Sequence, residues 1–225
     1  MGAATWLLRR VPALRRSLDQ VPAHALAWRL ANARYLEATA RPAGPLWVVL
    51  GDSTAQGIGV ADPQEGYVGR VRRLLEQRDG TAWQVVNLSR SGAVVRDLLD
   101  TQLPAIEALG LQPDLVTAVV GGNDLRRTDL AQLLSDLRDL LTRLPAGSVV
   151  ATMPRGLKQA KAVAANAELL RLAAARGLPV ADLWSHTGPP WRGKYADGLH
   201  PNAVGLDEWV AALAEALGLP GEALT

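Results

Sequence analysis

Four short stretches of this 225-residue chain set residues of complementary chemistry at the ends of apolar runs. The run Leu46–Leu50 stops at Gly51-Asp52-Ser53, and "NLSRSG", ending at Gly92, closes the run that begins at Trp83. "GGND", Gly121 to Asp124, follows Leu115–Val120, and "DGLHPN", Asp197 to Asn202, precedes the last helical stretch. A serine hydroxyl becomes a nucleophile when a base takes its proton, usually a histidine whose tautomer is fixed by a third group. Asp197 and His200 stand three residues apart, about one turn, so the carboxylate can hold Nδ1–H while Nε2 faces Ser53. Attack on an ester carbonyl builds an oxyanion that needs preorganised donors. The Ser53 and Gly92 backbone N–H groups and the Asn123 side-chain amide fit that need, and a glycine at position 92 lets the backbone come close to a substrate. Each stretch alone reads as an ordinary turn. Taken together and in order, they read as a serine nucleophile with its base and its oxyanion donors.

The elements around these stretches must bring them to one place. Apolar runs at Leu46–Leu50, Trp83–Leu88, Leu115–Val120, Val149–Thr152 and Leu178–Leu183 alternate with helical stretches near Tyr67–Gln77, Val94–Leu103, Leu130–Leu144, Lys158–Arg176 and Ala203–Leu217. Strands apolar on both sides and alternating with helices imply a parallel sheet covered on both faces, a three-layer α/β/α domain. Ligands of such sheets collect outside the carboxyl ends of the strands, where all four stretches fall. The first 45 residues form a separate helical extension before a domain at 46–220. Leu7, Val11, Leu14 and Leu18 recur there at helical spacing, with Arg9, Arg10, Arg15 and Arg16 off the stripe. Pro12 and Pro22 read as first-turn prolines of two short helices, the second running from about Ala23 to Thr39. Such a basic amphipathic segment suits packing on its own domain, contact with a membrane surface, capping of the site or a dimer contact; the first is favoured.

"GDS", a glycine after the second strand, "GxND" and "DxxH", in that order, resemble the four blocks of the SGNH (GDSL-type) hydrolases. The resemblance spans roughly residues 46 to 217. It implies a flavodoxin-like sheet of five parallel strands and hydrolysis of acyl esters or thioesters. It places the family's site residues at Ser53, Gly92, Asn123 and His200, with Asp197 completing the triad. Thr54 stands where the family name has leucine, a position without chemistry of its own.

Other readings narrow quickly. Ala55 replaces the second glycine of the G-x-S-x-G elbow of the α/β-hydrolases, and "GDSTAQGIG" has neither dinucleotide-binding spacing nor a phosphate-loop ending. An acyltransferase with the same triad and a non-catalytic α/β ligand-binding module remain as alternatives. His186, four residues after Asp182, and His24 are weaker bases than His200. Asp52 and Asp124 read as structural, bonding loop amides. No cofactor or metal is expected, and the chain has no cysteine. Net charge is +2, which argues against a nucleic-acid partner and leaves a small-molecule or lipid ester as the expected one. Arginines interrupt every apolar run near the start, so no secretory signal is read and a cytoplasmic location is expected. Trp6 makes Gly2 a poor acylation site. Trp47, Trp83 and Trp209 read as core, whereas Trp191 and Tyr195 either line a substrate pocket or pin their loop.

Overall fold

The computed structural model describes residues 12–219 other than Leu157. Residues 1–11 lie outside it, and with them Gly2, Trp6, Leu7, Arg9, Arg10 and Val11; so does residue 220. Five parallel strands run β1 (Leu46–Gly51), β2 (Gln84–Asn87), β3 (Leu115–Val119), β4 (Val149–Ala151) and β5 (Val180–Ala181). They lie side by side in the order β2-β1-β3-β4-β5. β1 is an interior strand next to the edge strand β2, with Trp47 opposite Val85 on one side and Leu115 on the other. The chain leaves β1 for one neighbour and later returns to the other, which opens a crevice at the carboxyl ends of β1 and β3, the usual ligand position in such sheets.

Alternation along β1 explains the two covering layers. Leu46, Val48 and Leu50 point into one apolar cluster and Trp47 and Val49 into another, all buried. The first cluster is closed by α6 (Leu130–Arg143) and α7 (Gln159–Arg176), together with a helical run built of α3 (Val95–Asp97), a five-residue π-turn segment (Leu98–Gln102) and α4 (Leu103–Ala108). The second is closed by α2 (Tyr67–Asp79) and α9 (Ala203–Ala216). Two single-turn helices, α5 (Asp124–Arg127) and α8 (Leu183–His186), sit at the carboxyl ends of β3 and β5.

Two elements depart from expectation for local reasons. The spacing puts one helical stretch near Val94–Leu103; the run continues to Ala108, and its middle widens to i→i−5 bonding, with Leu103 N–H reaching Leu98 O. Pro104 has no N–H to give, so a regular ladder is already broken there. The widened turn presents buried Gln102 to Gly51, accepting from its N–H at 2.8 Å and donating to its carbonyl at 2.9 Å. The N-terminal segment is a single helix, α1 (Pro12–Leu36), and Pro22 lies inside it rather than starting a second one. An interior proline costs a helix about 3 kcal/mol. Side chains on both sides of Pro22, Gln20 and His24, bond to the loop 56–61 and fasten the helix to it across the proline. α1 lies along β2: the Asn32 carboxamide donates to Asn87 O at 2.8 Å and accepts from Asn87 N–H at 2.9 Å. Trp28 enters one core cluster and Tyr35 the other. Among the described residues, no helix is long and apolar enough to cross a membrane.

Candidate active site

Ser53 sits just past β1, on a chain of tight turns. Gln56 N–H bonds Asp52 O, Gly57 N–H bonds Thr54 O, and Ile58 N–H bonds Ser53 O at 3.0 Å. Asp52 fixes the turn from inside, its Oδ1 accepting from Thr54 N–H at 3.0 Å. Burial pushes the Asp52 carboxyl up, against the Thr54 amide and the charge of His200, which pull it down. Asp52 thus bonds a loop amide, the structural part read from sequence. Gln56 joins this turn to the loop after β2: its Nε2 donates to Ser89 O at 3.0 Å and its Oε1 accepts from Ser91 N–H at 3.1 Å.

Asp197 and His200 meet the serine from the far end of the chain. The Ser53 hydroxyl lies 2.9 Å from His200 Nε2, and His200 Nδ1 lies 2.7 Å from Asp197 Oδ2. The other carboxylate oxygen accepts from the N–H groups of Leu199 at 2.9 Å and His200 at 2.8 Å, so the aspartate builds the turn that presents the histidine. Only 2% of the Asp197 side chain is exposed. That burial acts to raise its pKa, but hydrogen bonds from the His200 ring, the His200 backbone and the Ser17 side chain outweigh it and hold the carboxyl well below the usual carboxylate range. The turn is braced by Ala196 N–H on His200 O and Asn202 N–H on Lys194 O, both at 2.9 Å.

Asn123 follows β3 and is buried, as Ser53 is. Its Nδ2 donates to Ala93 O at 3.0 Å and stands 3.5 Å from Asp52 Oδ2. Gly92 has φ +82°, a left-handed conformation that only glycine adopts freely. A Cβ there would meet no protein atom nearer than the Arg127 guanidinium at 3.4 Å, so within the protein it is the backbone conformation that favours glycine. Arg127 holds this loop by donating to Gly92 O at 2.8 Å. Neither Ser53 N–H nor Gly92 N–H has an acceptor among the described residues. Asp124 is wholly buried and accepts from Val95 N–H and the Thr128 hydroxyl, both at 3.0 Å.

A cavity of about 350 Å³ opens beside the serine. Its wall includes Ser53, Asn123, His200, Trp191 and Tyr195, but not Gly92. Apolar side chains make up much of the rest, among them Val119, Leu125 and Leu183. Trp191 and Tyr195 form a tilted pair with ring centres 6.2 Å apart. Trp209, read from sequence as core, is both: it stacks on Tyr67 at 6.2 Å and forms part of the cavity wall. Trp47 and Trp83 are core alone. Arg155, at the cavity, is held by a bond from its Nε to Trp184 O at 2.9 Å and lies over the Trp184 ring.

The other two histidines are engaged elsewhere. His186 Nε2 pairs with Glu215 at 2.9 Å, and Asp182 caps α8 through Ser185 N–H at 3.2 Å. His24 is 3% exposed rather than a surface residue, with its ring nitrogens 3.2 and 3.3 Å from Gln56 O and Ala61 O. Gln56 and Gln102 carried no signal in the sequence, since a lone glutamine near a turn is unremarked until its partners are in place. Among the described residues no cluster of three metal-binding side chains occurs.

The shape is shared with solved enzymes. Axe2, an acetylxylan esterase from Geobacillus stearothermophilus, superposes with a TM-score of 0.65 at 22% identity, over 80% of this chain and 96% of its own. TesA superposes with a TM-score of 0.64 at 24% identity, over 80% and 99%. LAE5, an alpha/beta hydrolase enzyme from the metagenome of Lake Arreo, Spain, does so with a TM-score of 0.62 at 23% identity, over 78% and 96%. At such identities the likeness is one of fold. No curated protein matches the chain by sequence. The model of the GDSL-like lipase/acylhydrolase family matches residues 49–219, most of the chain and the whole sheet but the start of β1, and by that match the chain belongs to this family.

Proposed function

We propose that this enzyme, an ester hydrolase by family, works through Ser53, His200 and Asp197. The observation that carries the reading is the unbroken line of short contacts: Ser53 Oγ to His200 Nε2 at 2.9 Å, and His200 Nδ1 to Asp197 at 2.7 Å. As Ser53 Oγ bonds to the ester carbonyl carbon, its proton passes to His200 Nε2, which then gives it to the departing alcohol oxygen. A water attacks the acyl-serine, His200 takes its proton, and that proton returns to Ser53 as the carboxylic acid leaves. Asp197 stays ionised throughout and steadies the imidazolium, the role its bonding suits.

The oxyanion forms within reach of Ser53 N–H, Gly92 N–H and the Asn123 amide. Two unpartnered backbone donors near a buried nucleophile support this, since such groups normally find acceptors. Asn123 spends one hydrogen on Ala93 O; the other faces Asp52 at a long 3.5 Å and is the one an oxyanion captures. The apolar cavity takes the acyl chain of a lipid or shorter ester, with Trp191 and Tyr195 against the substrate.

Labelling with a fluorophosphonate probe and mapping of the adduct tests the reading. An adduct on Ser53 in the wild type, absent from Ser53→Ala and lost or strongly slowed in His200→Ala, is expected. A folded wild type with no adduct at Ser53 refutes it and favours a binding module. Product analysis with an added alcohol separates hydrolysis, giving free acid, from acyl transfer, giving a new ester.

A further inference from the structure

The family match begins at residue 49, so α1 lies outside it, yet α1 bonds directly to the loop that backs the proposed histidine. The Gln20 carboxamide reads two adjacent backbone groups, accepting from Gly59 N–H at 3.1 Å and donating to Val60 O at 2.9 Å. Four residues on, His24 sits between Gln56 O and Ala61 O; four further, Trp28 Nε1 donates to Gln56 O at 3.2 Å. One face of one helix therefore fastens the loop 56–61 at its start, middle and end. That loop is the wall against which the histidine turn rests. Gly59 has φ +112°, and a Cβ on it would stand 2.2 Å from Pro201 O and 3.3 Å from His200 Cβ.

We propose that α1 is a positioning element of catalysis, with Gln20 pressing the loop at Gly59 against His200. This rests on the triad reading given above. Gln20 does not touch substrate. It acts on the distance and angle between His200 and Ser53, where displacements of about 1 Å can cost as much as 10²-fold in rate. Such sites depend on the groups behind the reacting ones being locked in turn.

Gln20→Ala and Leu30→Ala are compared for kcat, KM, the rate of fluorophosphonate labelling at Ser53 and the thermal midpoint. Leu30 is half exposed on α1 and serves as the control. Alanine keeps the helix and removes one carboxamide, so the variant folds. Expected are falls of about 10-fold in kcat and in labelling rate for Gln20→Ala, with KM within about twofold, and wild-type values for Leu30→Ala. A helix that merely stabilises the domain moves the thermal midpoint and leaves kcat well below that midpoint untouched. Wild-type kcat and labelling rate in Gln20→Ala overturns the proposal. So does an equal loss in Leu30→Ala. A wild type that does not label at Ser53 overturns the triad reading and this proposal with it; a wild type that labels while the variants match it overturns the proposal alone.

Discussion

At the scale of single residues, Asn123 and Asp124 stand side by side and do different work. Asn123 keeps one amide hydrogen loosely held, at 3.5 Å from Asp52. Asn123→Ala is expected to lower kcat about 10²–10³-fold while the far-ultraviolet circular dichroism stays that of the wild type. A loss of less than about threefold would remove Asn123 from the oxyanion site. The sequence marked Ser53, Asn123, Asp197 and His200 because their stretches, ordinary turns singly, fall in order on one rim of the expected sheet. It did not mark Gln20 or Gln56, whose partners include backbone groups of loops that no local pattern reveals. Asp52 and Asp124 were legible as structural, though not what each would bond.

At the scale of elements, Asp124 joins two: it starts α5 and accepts from Val95 N–H at the start of the 95–108 run. Burial, outweighing the Val95 and Thr128 hydrogen bonds, raises its carboxyl from 3.8 to about 6. The folded state thus prefers the protonated form more than the unfolded chain does. Stability from this group is full below about pH 4 and is lost as pH rises through 6. Asparagine can accept from Val95 and donate to Thr128 without titrating. Asp124→Asn is expected to flatten the decline between pH 4.5 and 7.5 and to gain up to about 3 kcal/mol at the upper end, read by urea unfolding. An unchanged pH slope would show that the carboxyl stays ionised in the fold. Helix positions were legible from apolar spacing; the π-turn and the unbroken α1 were not. Gln102 on Gly51 and Gln20 on Gly59 are tertiary bonds, and they override what Pro104 and Pro22 suggest locally.

At the scale of the molecule, the alternation of apolar runs and helices told the layers, and the resemblance told of five parallel strands in a flavodoxin-like sheet. The cavity was not legible. Val119, Leu183 and Trp209 come from β3, α8 and α9, and only the packed fold brings them around one space. If the acyl chain lies there, as proposed, that space sets its length limit. With p-nitrophenyl esters of increasing length, kcat/KM is expected to climb about fourfold per buried methylene, the equivalent of ~0.8 kcal/mol, and then level off when the cavity is full. A flat series from acetate onward would mean that the acyl group stays outside it.

The position of α1 along β2 also bears on how the chain keeps to itself. A parallel sheet has two outer strands whose free backbone groups invite other strands. β5 escapes by being only two residues long. β2 has four, and the Asn32 carboxamide takes the N–H and C=O of Asn87 that a stranger would use. A piece cut at residue 46, where β1 begins, would bare that row together with the apolar beds of Trp28 and Tyr35, and would aggregate strand to strand.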